Sequence, residues 1–494
     1  MRTAEKRNCA VCAKGKNMVY DVVIAGAGVV GAMTARELTR YRLSVCLLEK
    51  ENDVAMGASK ANSGIIHGGF DPLPGTFKAK LNVQGIPLLY RAAEELAVPY
   101  RKNGSLVVAF GKEEEPTIDM LYRRGMQNGV TGQQILTGEE ARALEPALSR
   151  EVTRALRVPG SGIISPYELA IAAVGNAMDN GATLVRNFDV EAICRKGGVF
   201  TVSSSGGASV QGRYFVNCAG GYADRIAAMA GDDFFRVIPR AGEYLLLDKN
   251  EGKTVSHTVF QVPTKEGKGI LVTPTADGNL LLGPTAARVD SPAGTETTAT
   301  GLAKVAELAK KSVPGVNTRA VITSFTGVRA STEGGDFLLR RSERVPGLIH
   351  AAGIDSPGLS ACAAIAVYLV GLLRKSGLTA EENPDFNGKR RDMHAFRKMN
   401  EEEKDAFIRR NPAYGRIVCR CETVSEGEIL EALRQEPRAL DTDGVKRRTR
   451  AGMGRCQGGF CLPRVAELIA EQTQKPMAEI TKKGGRSVLT EGEL

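Results

Sequence analysis

The sequence predicts an α/β protein that begins with a Rossmann-like βαβ unit, continues through a strand-rich middle and ends in a small cysteine-bearing module. Three observations predict it. An apolar strand, Tyr20–Ile24, runs into Gly26-Ala-Gly28-Val-Val-Gly31 and then a helical pattern. Strand-like runs punctuated by Gly and Pro dominate Ser105–Phe110 and Tyr244–Gly283. Near the C-terminus Cys419, Cys421, Cys456 and Cys461 form two close pairs, C-x-C and C-x4-C.

Residues 1–17 are polar and basic, and Met18 opens a strand so abruptly that they read as an appended extension. Its Cys9-x-x-Cys12 is either part of a disordered tail or half of a metal site. The strand Tyr20–Ile24, a helix through Tyr41 and a second strand, Ser44–Leu48, then make the βαβ unit. Gly26 permits the tight turn, Gly28 lets the backbone approach a pyrophosphate, and Gly31 allows close helix–strand packing. The helix N-terminus points free N–H groups at such phosphates. Glu49, ending the second strand, is placed to accept hydrogen bonds from an adenosine ribose. Helical patterns occupy Pro166–Asn180 and Thr300–Lys311, and a Gly-rich strand-to-turn lies at Phe215–Gly221. A further strand, Leu348–Gly353, leads into the longest apolar run, Leu359–Leu373. That run is shorter than the roughly 20 residues of a membrane span, so it reads as a buried helix. Residues 376–412 are highly charged and read as a linker, 413–475 hold the cysteines, and 476–494 read as a tail.

A chain of 494 residues has room for two or three domains with full cores. Its net charge of +10 suits an anionic substrate or an acidic surface. No Lys/Arg block with interleaved aromatics occurs, which argues against nucleic acid. Arg2, Lys6 and Arg7 are not followed by an apolar segment, so no secretory signal is read there. Ten cysteines without such a signal point to a reducing, cytoplasmic setting, with peripheral contact at the inner membrane face left open.

The segment Gly57–Gly69, polar and Gly-studded, follows the ribose strand and contains Ser63, Gly64 and His67. From here the chain resembles the D-amino-acid-oxidase-like flavoproteins, within them the FAD-dependent glycerol-3-phosphate dehydrogenase and oxidase group. The resemblance covers about residues 18–375. It is carried further by Lys78-Ala-Lys80-Leu81-Asn82, Cys218-Ala-Gly220-Gly221, Lys268–Thr275, Gly327-Val-Arg329 and Gly353–Leu359. It implies a discontinuous FAD-binding domain at about 18–90, 150–235 and 326–375. A mixed-sheet α+β substrate domain, about 91–149 and 236–325, would cover the isoalloxazine. FAD contacts are then expected from Gly26, Gly28, Gly31, Glu49, Ser63, Gly64, Val190, Gly220, Gly353, Ser356 and Gly358.

Oxidising a secondary alcohol requires a base for the hydroxyl proton and, for an anionic substrate, a fixed cation. The resemblance puts His67 beside the flavin as the base, with a backbone-bonded structural histidine as the alternative. Arg329 is the expected anion clamp, the alternative being an ion pair with Glu333 or Asp336. Lys268 matches a family lysine near the flavin, and a surface lysine is the alternative. Ser356 is expected by the isoalloxazine, where N–H groups of the next helix stabilise reduced flavin. Glu243 and Tyr244 are further pocket candidates. His257, His350 and His394 read as structural or surface residues, and Cys46, Cys194, Cys218 and Cys362 as small core residues.

Four thiolates in two pairs can hold zinc or an iron–sulfur cluster, although C-x-C is uncommon in zinc ribbons. Gly-rich loops around Cys456 let backbone N–H groups approach sulfur, and Ser425-x-x-Glu428 reads as a capping box. The segment resembles the bacterioferritin-associated-ferredoxin-like [2Fe–2S] domain, which implies a [2Fe–2S] cluster on Cys419, Cys421, Cys456 and Cys461. Together the two resemblances imply a dehydrogenase that oxidises sn-glycerol 3-phosphate and sends electrons through the cluster to a protein or quinone-linked acceptor. The alternatives are a 2-hydroxy acid or amine/opine dehydrogenase, and, in another class, a non-catalytic FAD/Fe–S redox subunit.

Overall fold

Two large sheets organise the chain before the charged segment. The computed structural model describes residues 18–263 and 269–490; Cys9, Cys12 and Lys268 lie outside the described residues. The first sheet has eight strands. At its centre Val45–Leu48, Val19–Ala25, Ser209–Asn217 and Leu348–Ala352 run parallel, and Thr183–Val185 continues the parallel order beside Val45–Leu48. Leu338–Arg341 closes one edge antiparallel, and Val190–Lys196 with Val199–Ser204 form an antiparallel flap on Ser209–Asn217. Val22, Val23 and Ile24 are fully buried, as parallel strands covered on both faces require. The helices Val29–Leu38, Phe77–Glu95, Pro166–Asp179 and Gly358–Lys375 share one apolar core with this sheet.

Gly358–Lys375 is long and apolar enough by composition to cross a membrane, yet 67% of it is buried inside the protein. It packs against Val29–Leu38 and Phe77–Glu95, as expected of a core helix.

The second sheet has nine strands, most of them antiparallel. Val237–Leu247 and Val321–Thr332 are its longest pair, in register from Val237↔Thr332 to Leu247↔Val321. The helix Ala299–Ser312 covers one face over Val305 and Ala309, both fully buried. Two expected boundaries shift here. Val152–Val158 pairs with Ser105–Phe110, so the return to the first sheet comes after 158 and not at about 150. Val321–Thr332 is one unbroken strand of the second sheet, so the boundary expected at 326 falls inside it. Ladder hydrogen bonds, invisible in composition, decide both.

The charged segment after 375 is tied down rather than free. Arg390 pairs with Asp179 at 2.9 Å, and the buried His394 bonds Glu168 at 2.7 Å. Beyond it, Glu426–Arg434, Thr442–Thr449 and Leu462–Thr473 pack around Ile429, Val445 and Ile469. The expected tail joins this core through Ile480, 1% exposed, and Leu489. The capping box is present: Ser425 N–H donates to Glu428 at 2.8 Å, and Glu428 N–H donates to the Ser425 hydroxyl at 3.3 Å.

Candidate active site and cysteine centre

A cavity of about 2320 Å³ lies between the two sheets and is closed on one side by the cysteine module. At one end stands the Gly-rich turn. Gly26 has φ +100°, and a Cβ there would lie 2.5 Å from the Cys218 carbonyl oxygen, so only glycine fits. Gly28 precedes the helix Val29–Leu38 and lines the cavity, while Gly31 stands behind it, its Cα against the Gly26 carbonyl. Glu49 accepts from the N–H of Ala27 at 2.8 Å and from that of Glu51 at 3.0 Å, fastening the turn to the second strand. Burial pushes its carboxyl up to about 7 against those two bonds. Val190 and Gly220 line the same end, and Ser63 and Gly64 the middle. A helix N-terminus, an acid at the strand end and a cavity of this volume fit a dinucleotide such as FAD.

At the other end His67 faces Ser356, with Nε2 3.2 Å from Oγ. The His67 N–H donates to Ser360 Oγ at 2.7 Å, and its ring lies 5.8 Å from that of Phe260. Ser356 sits two residues before the helix Gly358–Lys375, whose N-terminus therefore opens on the same end. Gly353 stands behind the lining, while Gly358 is part of it. Arg329 also lines the cavity and ion-pairs with neither Glu333 nor Asp336 among the described residues. Its guanidinium lies over Gly242, donates to the Thr285 carbonyl at 3.3 and 3.4 Å, and shares a hydrogen bond with Tyr244. All these partners are uncharged. Asp336 instead accepts from the N–H groups of Phe77 and Lys78, at 2.8 and 2.9 Å, capping that helix. Opposite Gly242 in the ladder, Gly327 carries the Ala61 carbonyl 1.8 Å from where a Cβ would stand, so the Gly57–Gly69 loop rests directly on the strand.

Two pocket expectations change. Tyr244 lines the cavity, but Glu243 points to the opposite face and accepts from Thr298 N–H at 2.6 Å, because successive strand residues alternate faces. Cys46, Cys218 and Cys362 are buried, whereas Cys194 is exposed on the antiparallel flap, in a strand most of whose residues face solvent. His350 is fully buried against Asp232 at 3.0 Å, and His257 pairs with Glu145 at 3.1 Å.

Sequence reasoning missed a network beside His67. Lys78 pairs with Asp355 at 2.6 Å, and Ser331 Oγ donates to Asp355 at 2.8 Å; all three line the cavity. A signal existed: a lysine in the first turn of a helix opposes the helix dipole and calls for an acidic partner. Also missed was the contact of the cysteine module with the cavity. Arg450 there reaches Asp277 at 2.6 Å, Glu422 at 2.8 Å and Asn279 at 3.0 Å.

The four cysteine thiols gather as two pairs. Cys421 and Cys456 are 3.7 Å apart, and the Cys461 thiol donates to Cys419. Two thiolates at about 2.3 Å from one tetrahedral metal lie about 3.8 Å apart, so each pair suits one metal ion. Two pairs, each spaced for one metal ion, are a donor set that fits the two irons of a [2Fe–2S] cluster. Backbone N–H groups of Gly452 and Glu422 face Cys419, and those of Gly458, Gly459 and Phe460 face Cys456. These donors favour thiolate. Cys419 and Cys461 are buried, whereas Cys421 is exposed and Phe460 beside it is 88% exposed, so one edge of the centre meets solvent.

Comparison with known proteins bears on both ends. Residues 21–372 match the family of FAD dependent oxidoreductases, and residues 417–471 match the BFD-like [2Fe-2S] binding domain. The chain is 42% identical over 474 residues to a glycerol 3-phosphate dehydrogenase of Caloramator mitchellensis, covering 96% of this chain and 98% of that protein. It superposes on dithionite-reduced L-alpha-glycerophosphate oxidase of Mycoplasma pneumoniae with FAD bound, with a TM-score of 0.71 and 34% identity over 76% of this chain and 98% of that one. It is 34% identical over 283 residues to the mitochondrial L-2-hydroxyglutarate dehydrogenase of Bos taurus, covering 54% of this chain and 61% of that protein.

Proposed function

Because this chain belongs to the FAD dependent oxidoreductase family and takes FAD and a [2Fe–2S] cluster as cofactors, we propose that it oxidises sn-glycerol 3-phosphate to dihydroxyacetone phosphate. The two electrons then pass through the cluster to a protein or quinone-linked acceptor. FAD supplies a hydride acceptor and the cluster a one-electron carrier.

The protein's own residues carry the rest. His67, oriented by Ser356 at 3.2 Å, takes the hydroxyl proton of the substrate. Arg329, whose hydrogen-bond partners are all neutral, holds the phosphate and turns the reacting carbon toward the flavin. Lys268 is proposed, from the family resemblance alone, as a cation near the flavin. The N-terminus of the helix Gly358–Lys375, beyond the Gly358 N–H that is already donated to Asp355, would favour negative charge on a flavin bound at that end. The observation that carries the reading is this pairing of an oriented histidine with an arginine that has no carboxylate partner among the described residues, in one cavity with a dinucleotide cradle. The exposed edge of the cysteine centre, at Cys421 and Phe460, supports electron exit toward a partner. The protein would act in a reducing compartment, where clustered thiols keep metal.

Anaerobic mixing with sn-glycerol 3-phosphate tests the reading. Bleaching of the flavin absorbance, followed by an EPR signal from the reduced cluster, is the expected result. Bleaching by 2-hydroxyglutarate and not by glycerol 3-phosphate would replace the substrate. An unchanged spectrum with either, or with an amine, would favour a non-catalytic redox subunit.

A further inference from the structure

One wall of the cavity is basic, and neither the Gly-rich turn nor the His67 end accounts for it. Lys60, from the loop after the ribose strand, and Lys446, from the helix Thr442–Thr449 of the cysteine module, each lie within electrostatic reach of Arg447 on that helix, and all three line the cavity. Arg447 is only 6% exposed; Nη2 donates to Asp53 at 2.6 Å, but its buried Nε has no hydrogen-bond partner. An unsatisfied buried donor of this kind is destabilising, the more so when it is charged.

The lysines share the strain. Burial pushes the Lys60 amine down, with Arg447 and Lys483 adding repulsion; burial does the same to Lys446, with Lys482 and Arg447 adding. Nearby acids are already engaged: Asp53 by Arg447 and Arg448, Asp443 by Lys482 at 2.8 Å, and Glu51 by Lys50 at 3.2 Å. An anion among Lys60, Lys446 and Arg447 would relieve all three at once.

Position identifies the anion. Ser59, the neighbour of Lys60, accepts from the N–H of Val29, the first residue of the helix behind the Gly-rich turn, at 2.8 Å. Ala55, two residues beyond the Asp53 that Arg447 holds, donates its N–H to the Ala27 carbonyl within that turn at 3.0 Å. The basic wall therefore flanks the helix N-terminus where dinucleotide phosphates belong. We propose that Lys60, Lys446 and Arg447 form the second half of the FAD pyrophosphate site, so that the cluster-bearing module, by docking, closes the flavin cavity and retains its cofactor. The proposal rests on the cavity holding FAD and is independent of which substrate is oxidised.

The test is cofactor release from holoenzyme, followed by free-flavin fluorescence after dilution into a series of KCl concentrations. Lys446→Met is expected to release FAD about ten-fold faster at low salt, the equivalent of one lost charge-assisted hydrogen bond, and to show a shallower salt dependence. Lys446→Arg is expected to restore retention, and inorganic pyrophosphate is expected to displace FAD from the unmodified protein more readily than from Lys446→Met. An unchanged cluster spectrum in Lys446→Met shows that the module remains folded. If Lys446→Met and Lys60→Met, singly and combined, release FAD at the unmodified rate and with the unmodified salt dependence, the proposal fails. It also fails if retention is lost in Lys446→Arg as fully as in Lys446→Met, since packing and not charge would then be the cause.

Discussion

Arg448 grips Asp53 with both guanidinium nitrogens, Nη1 to Oδ2 and Nη2 to Oδ1, each at 2.8 Å. Asp53 is 1% exposed and also receives Arg447, so a carboxylate of the loop after Val45–Leu48 has its charge balanced by the cluster-bearing module, with the N–H of Val54 as a local donor at 2.9 Å. Bidentate geometry of this kind fixes orientation as well as distance.

Asp53→Asn leaves two buried guanidinium groups short of their counter-charge. The expected loss is about 3–5 kcal/mol at neutral pH, measured by denaturant unfolding and by faster hydrogen exchange in the helix Thr442–Thr449.

Acid has a related effect on the unmodified protein. Burial alone would raise the Asp53 carboxyl, but Arg448 and Arg447 reverse this and hold it well below the usual carboxylate range. A depressed folded value means the stabilisation is whole above the unfolded value of about 4 and is lost as pH falls below it. Stability is therefore expected to fall more steeply from about pH 5 to pH 3 in the unmodified chain than in Asp53→Asn; parallel curves would remove Asp53 from the acid transition.

His67→Gln keeps a side chain that can still bond Ser356 but cannot take a proton. Flavin reduction in anaerobic stopped flow is expected to slow by about 10²–10⁴, with FAD content unchanged.

Arg329→Ala removes a cavity-lining cation whose described hydrogen-bond partners are all neutral. A rise in KM with a fall in kcat/KM of about 10–100-fold is expected, and Arg329→Lys should recover only part of it. Activity with an uncharged polyol should change little.

Cys456→Ser separates the two cofactors. Substrate should still bleach the flavin, while the cluster EPR signal and turnover with an artificial acceptor are lost. The unmodified enzyme is expected to yield little hydrogen peroxide in air, and rapid stoichiometric peroxide formation would contradict an electron exit through the cluster.

Local pattern carried the sequence reading far. The Gly26–Gly31 turn, the Glu49 position, the buried helix after Gly358 and the paired cysteines each depend on residues close together in the chain, where turn sterics and periodicity act. What escaped it depends on partners distant in sequence. Glu243 and Tyr244 differ only in which face of one strand they occupy, and the alternation is set by register with Val321–Thr332. The tie between Asp53 and Arg448 joins residues from opposite ends of the chain, and no spacing rule connects them. The exposure of Cys194 is hidden for the same reason, since an apolar-looking strand does not say which of its residues face solvent.

The parallel pairing of Ser209–Asn217 with Leu348–Ala352 has a consequence for synthesis. The nucleotide-binding sheet cannot be completed until its last strands emerge from the ribosome, at about 5–20 residues per second. The helix Gly358–Lys375, an apolar segment that fills the core of that sheet, follows directly behind. Until it docks, the early βαβ unit presents an open apolar face, and the cysteines that follow are still unmade. A complete nucleotide-binding sheet therefore exists only once the chain has been made to about residue 375, still before the four cluster cysteines.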